Sequence, residues 1–263
     1  MASVTSKSSA GWGRIKFFYK YSANMALEAT SETTGYEASY VLNRLENNHW
    51  QSGSTSTQYL TDIGDAGSYT AVDYLILYGT NLKTAGAIVS LQYSSDNFSS
   101  DINDVFTPEV PADDGIFFKE FAQVTALYWR LEITTPSVAP KITILHWGEV
   151  VELDFCTSNF DPNAFINNSV VNRSNNGYQL GIYETFTERQ QQFTWDNIEL
   201  DIYDKIIAWA IAIGKQNFFI GWDTENHDTE IYMMYWADGE FKAPFSENGL
   251  YRTLTLNFTG RKL

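Results

Sequence analysis

Only one stretch of this chain has a helical rhythm, and that limits the fold more than any other feature. Within residues 200–214 the apolar side chains Ile202, Ile206, Trp209, Ala210 and Ile213 recur at helical spacing and share one face. Asp201 stands where an N-cap belongs, Asp204 lies in the first turn, and Gly214 supplies the stop. The spacing predicts a helix over about 201–213. Elsewhere the apolar residues alternate or gather in short runs, at 15–19, 25–30, 58–64, 72–79, 87–94, 116–121, 128–133 and 141–148. Turn signals such as Thr34-Gly35 and Ser95-Asp96-Asn97 separate them. One helix among many short strands makes the chain mainly β, with the front half spaced like a sandwich or jelly roll.

The front half is best read from residues 43–64. Trp50 follows a polar turn, Glu46 to His49, and precedes a Ser/Thr/Gly-rich loop, Gln51 to Thr57. Residues 58–64 then alternate as a half-buried strand does, and 72–79 reads as a core strand. Trp50-Gln51-Ser52, Asp62-Ile63-Gly64, Val72 to Gly79, Ser94 to Phe98 and Tyr128 to Ile133 follow one another in an order that resembles discoidin-like domains of the galactose-binding jelly-roll superfamily. The resemblance covers about residues 15–150. It implies a β-sandwich that binds sugars, lipids or proteins, or that only holds neighbours together, so the fold does not settle the function.

The back half has a different order. Residues 178–180 and 189–195 look like strands, and the helix follows. A buried strand comes next at 218–222, then late strands at 231–236 and 251–258 around Asp238-Gly239 and Asn248-Gly249 turns. Over about 178–260 this resembles the β-barrel-plus-helix domain of phage distal-tail and related tail-tip proteins. We place the boundary near 150–154: a flexible N-terminal arm at 1–14, a sandwich at 15–150, and a tail-like β domain at 151–263. The Asn-rich segment 159–177 reads as a long contact-making loop or arm. Together the resemblances imply a structural component of a phage tail tip or baseplate. Such a protein is made in the bacterial cytoplasm, resides in the virion, forms a cyclic homo-oligomer and touches other tail proteins. Trp12, a lone aromatic on the arm, and Asn167 and Asn168 in the loop are the interface candidates.

Charge narrows the partners. The net charge is −15, with nine basic against sixteen acidic residues through Val150 and eight against sixteen after it. No basic stripe is present to neutralise phosphates, so a nucleic-acid partner is not expected. Anionic membrane surfaces are disfavoured for the same reason. Aromatics make up 16% and charged residues only 19%, a balance suited to large permanent interfaces. The first five residues lack a basic start and an apolar run, so no signal peptide is expected. No apolar run approaches the ~20 residues of a membrane span.

The candidate chemistry is sparse. A sugar could stack on Trp50 and bond to His49 and Gln51, but the plainer reading makes Trp50 the buried anchor of its loop. His49 and Gln51 are then the ligand candidates, with Asp113 and Asp114 from the loop at 96–114. The acidic group Asp223, Glu225, Asp228 and Glu230 lacks a calcium-loop pattern and reads as a solvated hairpin loop, and Asp113-Asp114-Gly115 reads as turn chemistry. These readings leave room for a structural Ca²⁺ but predict no cofactor. A single Cys156 precludes an intrachain disulfide and any Cys-rich metal site. His146 lies on a buried strand and reads as a satisfied core histidine. No nucleophile, metalloprotease, phosphate-loop or dinucleotide motif is present, so the expectation is a non-enzyme. A tail structural protein is the preferred reading. A carbohydrate-binding module for host attachment is the alternative, and a glycan-processing enzyme comes third.

Overall fold

A computed structural model describes residues 14–20, 25–64, 67–157, 160–246 and 249–262. Trp12 and the expected arm through Gly13 lie outside the described residues. The chain divides into two compact units: Phe18–Val151, and residues up to Phe17 together with Glu152–Leu263. The first break falls within β1 (Ile15–Lys20).

The front unit contains a 3-10 turn, Ala38–Leu42, and ten further strands. These are β2 (Leu27–Ala29), β3 (Trp50–Gln51), β4 (Gln58–Asp62), β5 (Thr70–Tyr78), β6 (Ile88–Ser94), β7 (Asn103–Asp104), β8 (Ile116–Ala126), β9 (Tyr128–Thr134), β10 (Lys141–Ile142) and β11 (Ile144–Leu153). One antiparallel sheet runs β2-β4-β9-β6-β7. Facing it, β5 pairs with β11 on one side and β8 on the other. A short ladder joins β3 to β10.

Side-chain alternation puts one face of each sheet inward: β4 and β9 bury every second residue. Leu60, Leu91 and Leu131 from one sheet meet Leu75, Leu77 and Trp147 from the other, with Trp50 and Trp129 in the same core. The front unit is therefore a β-sandwich. Local chemistry sets its turns. Asp96 accepts from the Ser100 hydroxyl and from the backbone N–H groups of Ser99, Ser100 and Asp101, which hold its carboxyl down at about 2. Gly79 (φ +61°) ends β5, where a Cβ would lie 2.7 Å from the Thr143 hydroxyl.

The back unit contains β12 (Phe165–Arg173), β13 (Gln179–Ile198), α1 (Leu200–Ile213), β14 (Phe218–Gly221), β15 (Ile231–Trp236), β16 (Phe245–Ser246) and β17 (Tyr251–Arg261). Its antiparallel strands run β12-β13-β17-β15-β14, with β16 also on β17. Ile202, Ile206, Trp209 and Ile213 of α1 are buried. Trp209 packs against Phe17, Phe218, Phe258 and Trp236 with ring centroids 5.1–5.7 Å apart. No helix among the described residues is long and apolar enough to cross a membrane.

Four expectations need correction. Among the described residues the strand path is open and closes into no barrel, because the outer edge of β12 has no strand beside it. The supposed loop at 159–177 carries β12, whose poor strand formers are held by pairing with β13. The separate strands expected at 178–180 and 189–195 are parts of one 20-residue strand, β13. The helix starts one residue early: Glu199 is the N-cap, in extended conformation and without a side-chain cap bond, and Asp201 sits in the first turn.

Candidate functional site

Trp50 is fully buried, and its indole N–H donates to the Ser31 carbonyl at 3.3 Å. That anchors the residues on either side. Gln51 pairs with Lys141 across the β3–β10 ladder, donates its backbone N–H to the Tyr36 carbonyl at 3.2 Å, and accepts from Thr33 N–H at 2.8 Å. His49 lies ring to ring with Tyr36, centroids 4.6 Å apart, and Tyr36 is 39% exposed. Partial burial, and then the Lys141 ammonium, push the His49 imidazole below its ordinary range; a hydrogen bond with Gln51 opposes them. His49 is therefore neutral at neutral pH, with one ring nitrogen to donate and one to accept.

The same Lys141 acts on Asp114. Burial raises that carboxyl, but bonds from Thr84 N–H (3.1 Å) and the Thr84 hydroxyl (2.5 Å) outweigh it, and Lys141 adds to them, so Asp114 is held low and ionised. Lys141 is itself fixed by Asn81, whose amide oxygen accepts its backbone N–H at 2.7 Å. The structure thus gathers His49, Gln51 and Asp114 around Lys141, beside the exposed ring of Tyr36. Asp113 does other work: its carboxylate accepts Gly115 N–H at 2.8 Å and closes a turn. Sequence reasoning missed Lys141, Tyr36 and Thr84. Lys141 directly follows the loop ending at Pro140, and Tyr36 directly follows the Thr34-Gly35 turn, which are the only sequence signals either one carries.

The remaining candidates fall elsewhere. Asn167 and Asn168 lie on β12 and bond within the β12–β13 hairpin, Asn167 accepting from the Thr187 hydroxyl at 2.9 Å and Asn168 donating to Glu188 at 3.1 Å. The acidic group after β14 is solvated in its middle, where Glu225 and Asp228 are exposed, and bonded at its two ends. Asp223 is 1% exposed and accepts from Asn226, while Glu230 accepts from the Trp222 indole (2.8 Å) and the Tyr232 hydroxyl (3.0 Å). Burial, with Glu230 beside it, pushes Tyr232 up to about 12. Among the described residues no group of three or more His, Cys, Asp or Glu could hold a metal ion. Cys156 is buried and its thiol is pushed up to about 11, so it is unreactive. His146 is buried, with Nδ1 2.6 Å from the Tyr74 hydroxyl. A separate pocket of about 360 Å³ opens in the back unit among Asp161, Gln190, Gln192, Asn257 and Thr259; its polar groups partly bond one another, Gln192 donating to Asn257 at 2.8 Å.

The chain matches no family model and no curated protein. Solved structures similar to it include chitosan-binding module 1 of a chitosanase/glucanase from Paenibacillus sp. IK-5, at 21% identity over 48% of this chain and 96% of that one, TM-score 0.40. A carbohydrate-binding module from Clostridium perfringens in complex with GalNAc-β-1,3-galactose is 15% identical over 48% and 96%, TM-score 0.40. The module of AlyQ in complex with 4,5-unsaturated mannuronic acid is 18% identical over 49% and 98%, TM-score 0.38.

Proposed function

We propose that the front unit is a non-catalytic carbohydrate-binding module whose ligand is a neutral, hydroxyl-rich glycan. The observation that supports this reading is the convergence of Tyr36, His49, Gln51 and Asp114 about Lys141. A pyranose offers C–H faces and vicinal hydroxyls. The exposed part of the Tyr36 ring suits the first, and a carboxylate, an ammonium, an amide and a neutral imidazole suit the second. A net charge of −15 opposes a polyanionic ligand. Titration of the intact chain with neutral oligosaccharides tests the reading. Binding that disappears in His49→Ala/Gln51→Ala supports it, and binding unaffected by that change removes it.

A second reading, as a structural subunit of a phage tail tip or baseplate, is favoured by a different observation: the exposed β12–β13 hairpin of the back unit. On this reading the chain resides in the virion, forms a ring with copies of itself and touches other tail proteins. Imaging of particles would test it, and a single unringed copy per tail would overturn it.

A further inference from the structure

From Glu188 onward β13 pairs with β17, but from Gln179 to Thr187 its only ladder among the described residues is with β12. The hairpin therefore runs beyond the sheet as a two-stranded ribbon, and at ~3.4 Å per residue the stretch of β12 from Asn167 to Arg173 spans roughly 24 Å. A lone ribbon of this kind is at best marginally stable in water.

Apolar side chains stand on both faces of the hairpin. Val170 lies opposite Tyr183 on one face, and Val171 lies opposite Ile182 on the other. Phe165, Ile166, Val170, Val171, Tyr178, Leu180, Ile182, Tyr183 and Phe186 are exposed by 41–72%. Monomers do not ordinarily leave so much apolar surface open on one element. At roughly 100 Å² each, judged from the ~150–250 Å² of a whole aromatic side chain, these nine side chains offer roughly 900 Å². A standard interface needs about 800 Å² per partner.

Charge identifies the occupant. Residues 165–187 carry only Arg173 and Glu184, a net charge of zero in a chain of −15. Two copies of so acidic a chain repel each other over most surfaces, and this ribbon is where they meet without that repulsion. At the register shifts after Asn168 and Asn172 the extra residues, Thr185 and Leu180, lie on β13 and bend that strand, so the ribbon offers its faces more readily than a straight edge for strand addition.

We propose that the β12–β13 hairpin is the self-association surface of this protein, with a second copy of the chain covering its two apolar faces. The inference deepens the assembly reading by naming the partner and the surface, and it holds with or without a phage particle.

The test is the mass of the full chain by sedimentation velocity across a concentration series. The wild-type chain is expected to associate at about 10 μM. Val170→Thr/Tyr183→Thr and Val171→Thr/Ile182→Thr keep strand propensity and should each weaken association about tenfold or more. Ile211→Thr, at a site 79% exposed on α1, should change nothing. A wild-type chain still monomeric at about 100 μM overturns the proposal, as does a four-fold Thr variant that associates like wild type. Should the Thr variants misfold, a nitroxide at Val171→Cys gives a second measurement, since buried Cys156 with its raised thiol stays unlabelled. Dipolar coupling between copies supports the proposal, and associated chains without it refute it. Monomeric wild type would leave the tail reading open through other tail proteins. Self-association by a chain that forms no ring in any particle would remove only the tail reading.

Discussion

At the scale of single residues, the proposed glycan site makes Trp50 a stability residue and His49 and Gln51 recognition residues. Trp50 has no exposed surface and donates to Ser31, so Trp50→Ala should cost about 3–5 kcal/mol and melt the front unit. His49→Ala/Gln51→Ala should leave the melting temperature within a few degrees while abolishing glycan binding. Calorimetry and ligand titration on the same preparations check both, and a folded Trp50→Ala protein that has lost only its ligand would reverse the assignment. Trp50 was legible in the sequence because a lone large aromatic between a polar turn and a Ser-rich loop has little to do but anchor. Lys141 and Tyr36 were not, since they reach the site from segments about 90 and 14 positions from Trp50, and spatial convergence of that kind leaves no local pattern.

His146 gives a prediction about pH. It is 1% exposed, and burial, with Arg44 adding, keeps its imidazole well below the usual range. The folded protein therefore holds His146 neutral, while the unfolded chain takes up a proton near pH 6.5. Its contribution is fully present above about pH 6.5 and declines as the pH falls below that, by up to about 1.4 kcal/mol per unit, until the folded value is reached. His49, also shifted down, acts in the same sense. Denaturant melts of wild type and His146→Gln between pH 7 and 5 should show a shallower loss in the variant, and parallel losses would refute the claim.

Among the elements, α1 was legible, β13 was read as two separate pieces, and β12 was not legible. Periodicity placed Ile202, Ile206, Trp209 and Ile213 on one face because each packs into the back-unit core. The cap was misplaced by two residues, since an acidic side chain marks a first turn as well as it marks a cap. Glu199 holds the cap position but makes no side-chain cap bond, so Glu199→Ser should stabilise the helix end by about 0.5–1 kcal/mol. Thermal melts check this, and a fall in stability would count against the cap geometry. The pairing of β12 with an unbroken β13 escaped detection for a physical reason. Half-buried strands show alternation because one face is wet, whereas this ribbon exposes both faces and mixes Asn with apolar residues on each. In the front unit every second residue of β4 and β9 is buried, and there the alternation could be read directly.

For the whole molecule, the net charge, the proposed glycan site and the proposed self-association together predict how binding should respond to salt and to presentation. At −15 the chain should bind a neutral oligosaccharide with an affinity nearly independent of ionic strength. A uronate-rich polymer should bind weakly at low salt and improve as salt screens the repulsion. Each glycan site would act alone on a soluble oligosaccharide, whereas several joined through the hairpin would act together on an immobilised polysaccharide, where avidity adds about 10²–10⁴-fold without any new contact. Val170→Thr/Tyr183→Thr should therefore leave the affinity for a soluble oligosaccharide unchanged and sharply reduce retention on the immobilised polymer. His49→Ala/Gln51→Ala should remove both. Titration calorimetry reads the first quantity and surface retention the second. If the hairpin variant lowers the two equally, the hairpin contributes to the glycan site or to the fold of the front unit, and the separation of recognition from assembly is wrong. If it lowers neither, the hairpin does not set the valency of the bound state.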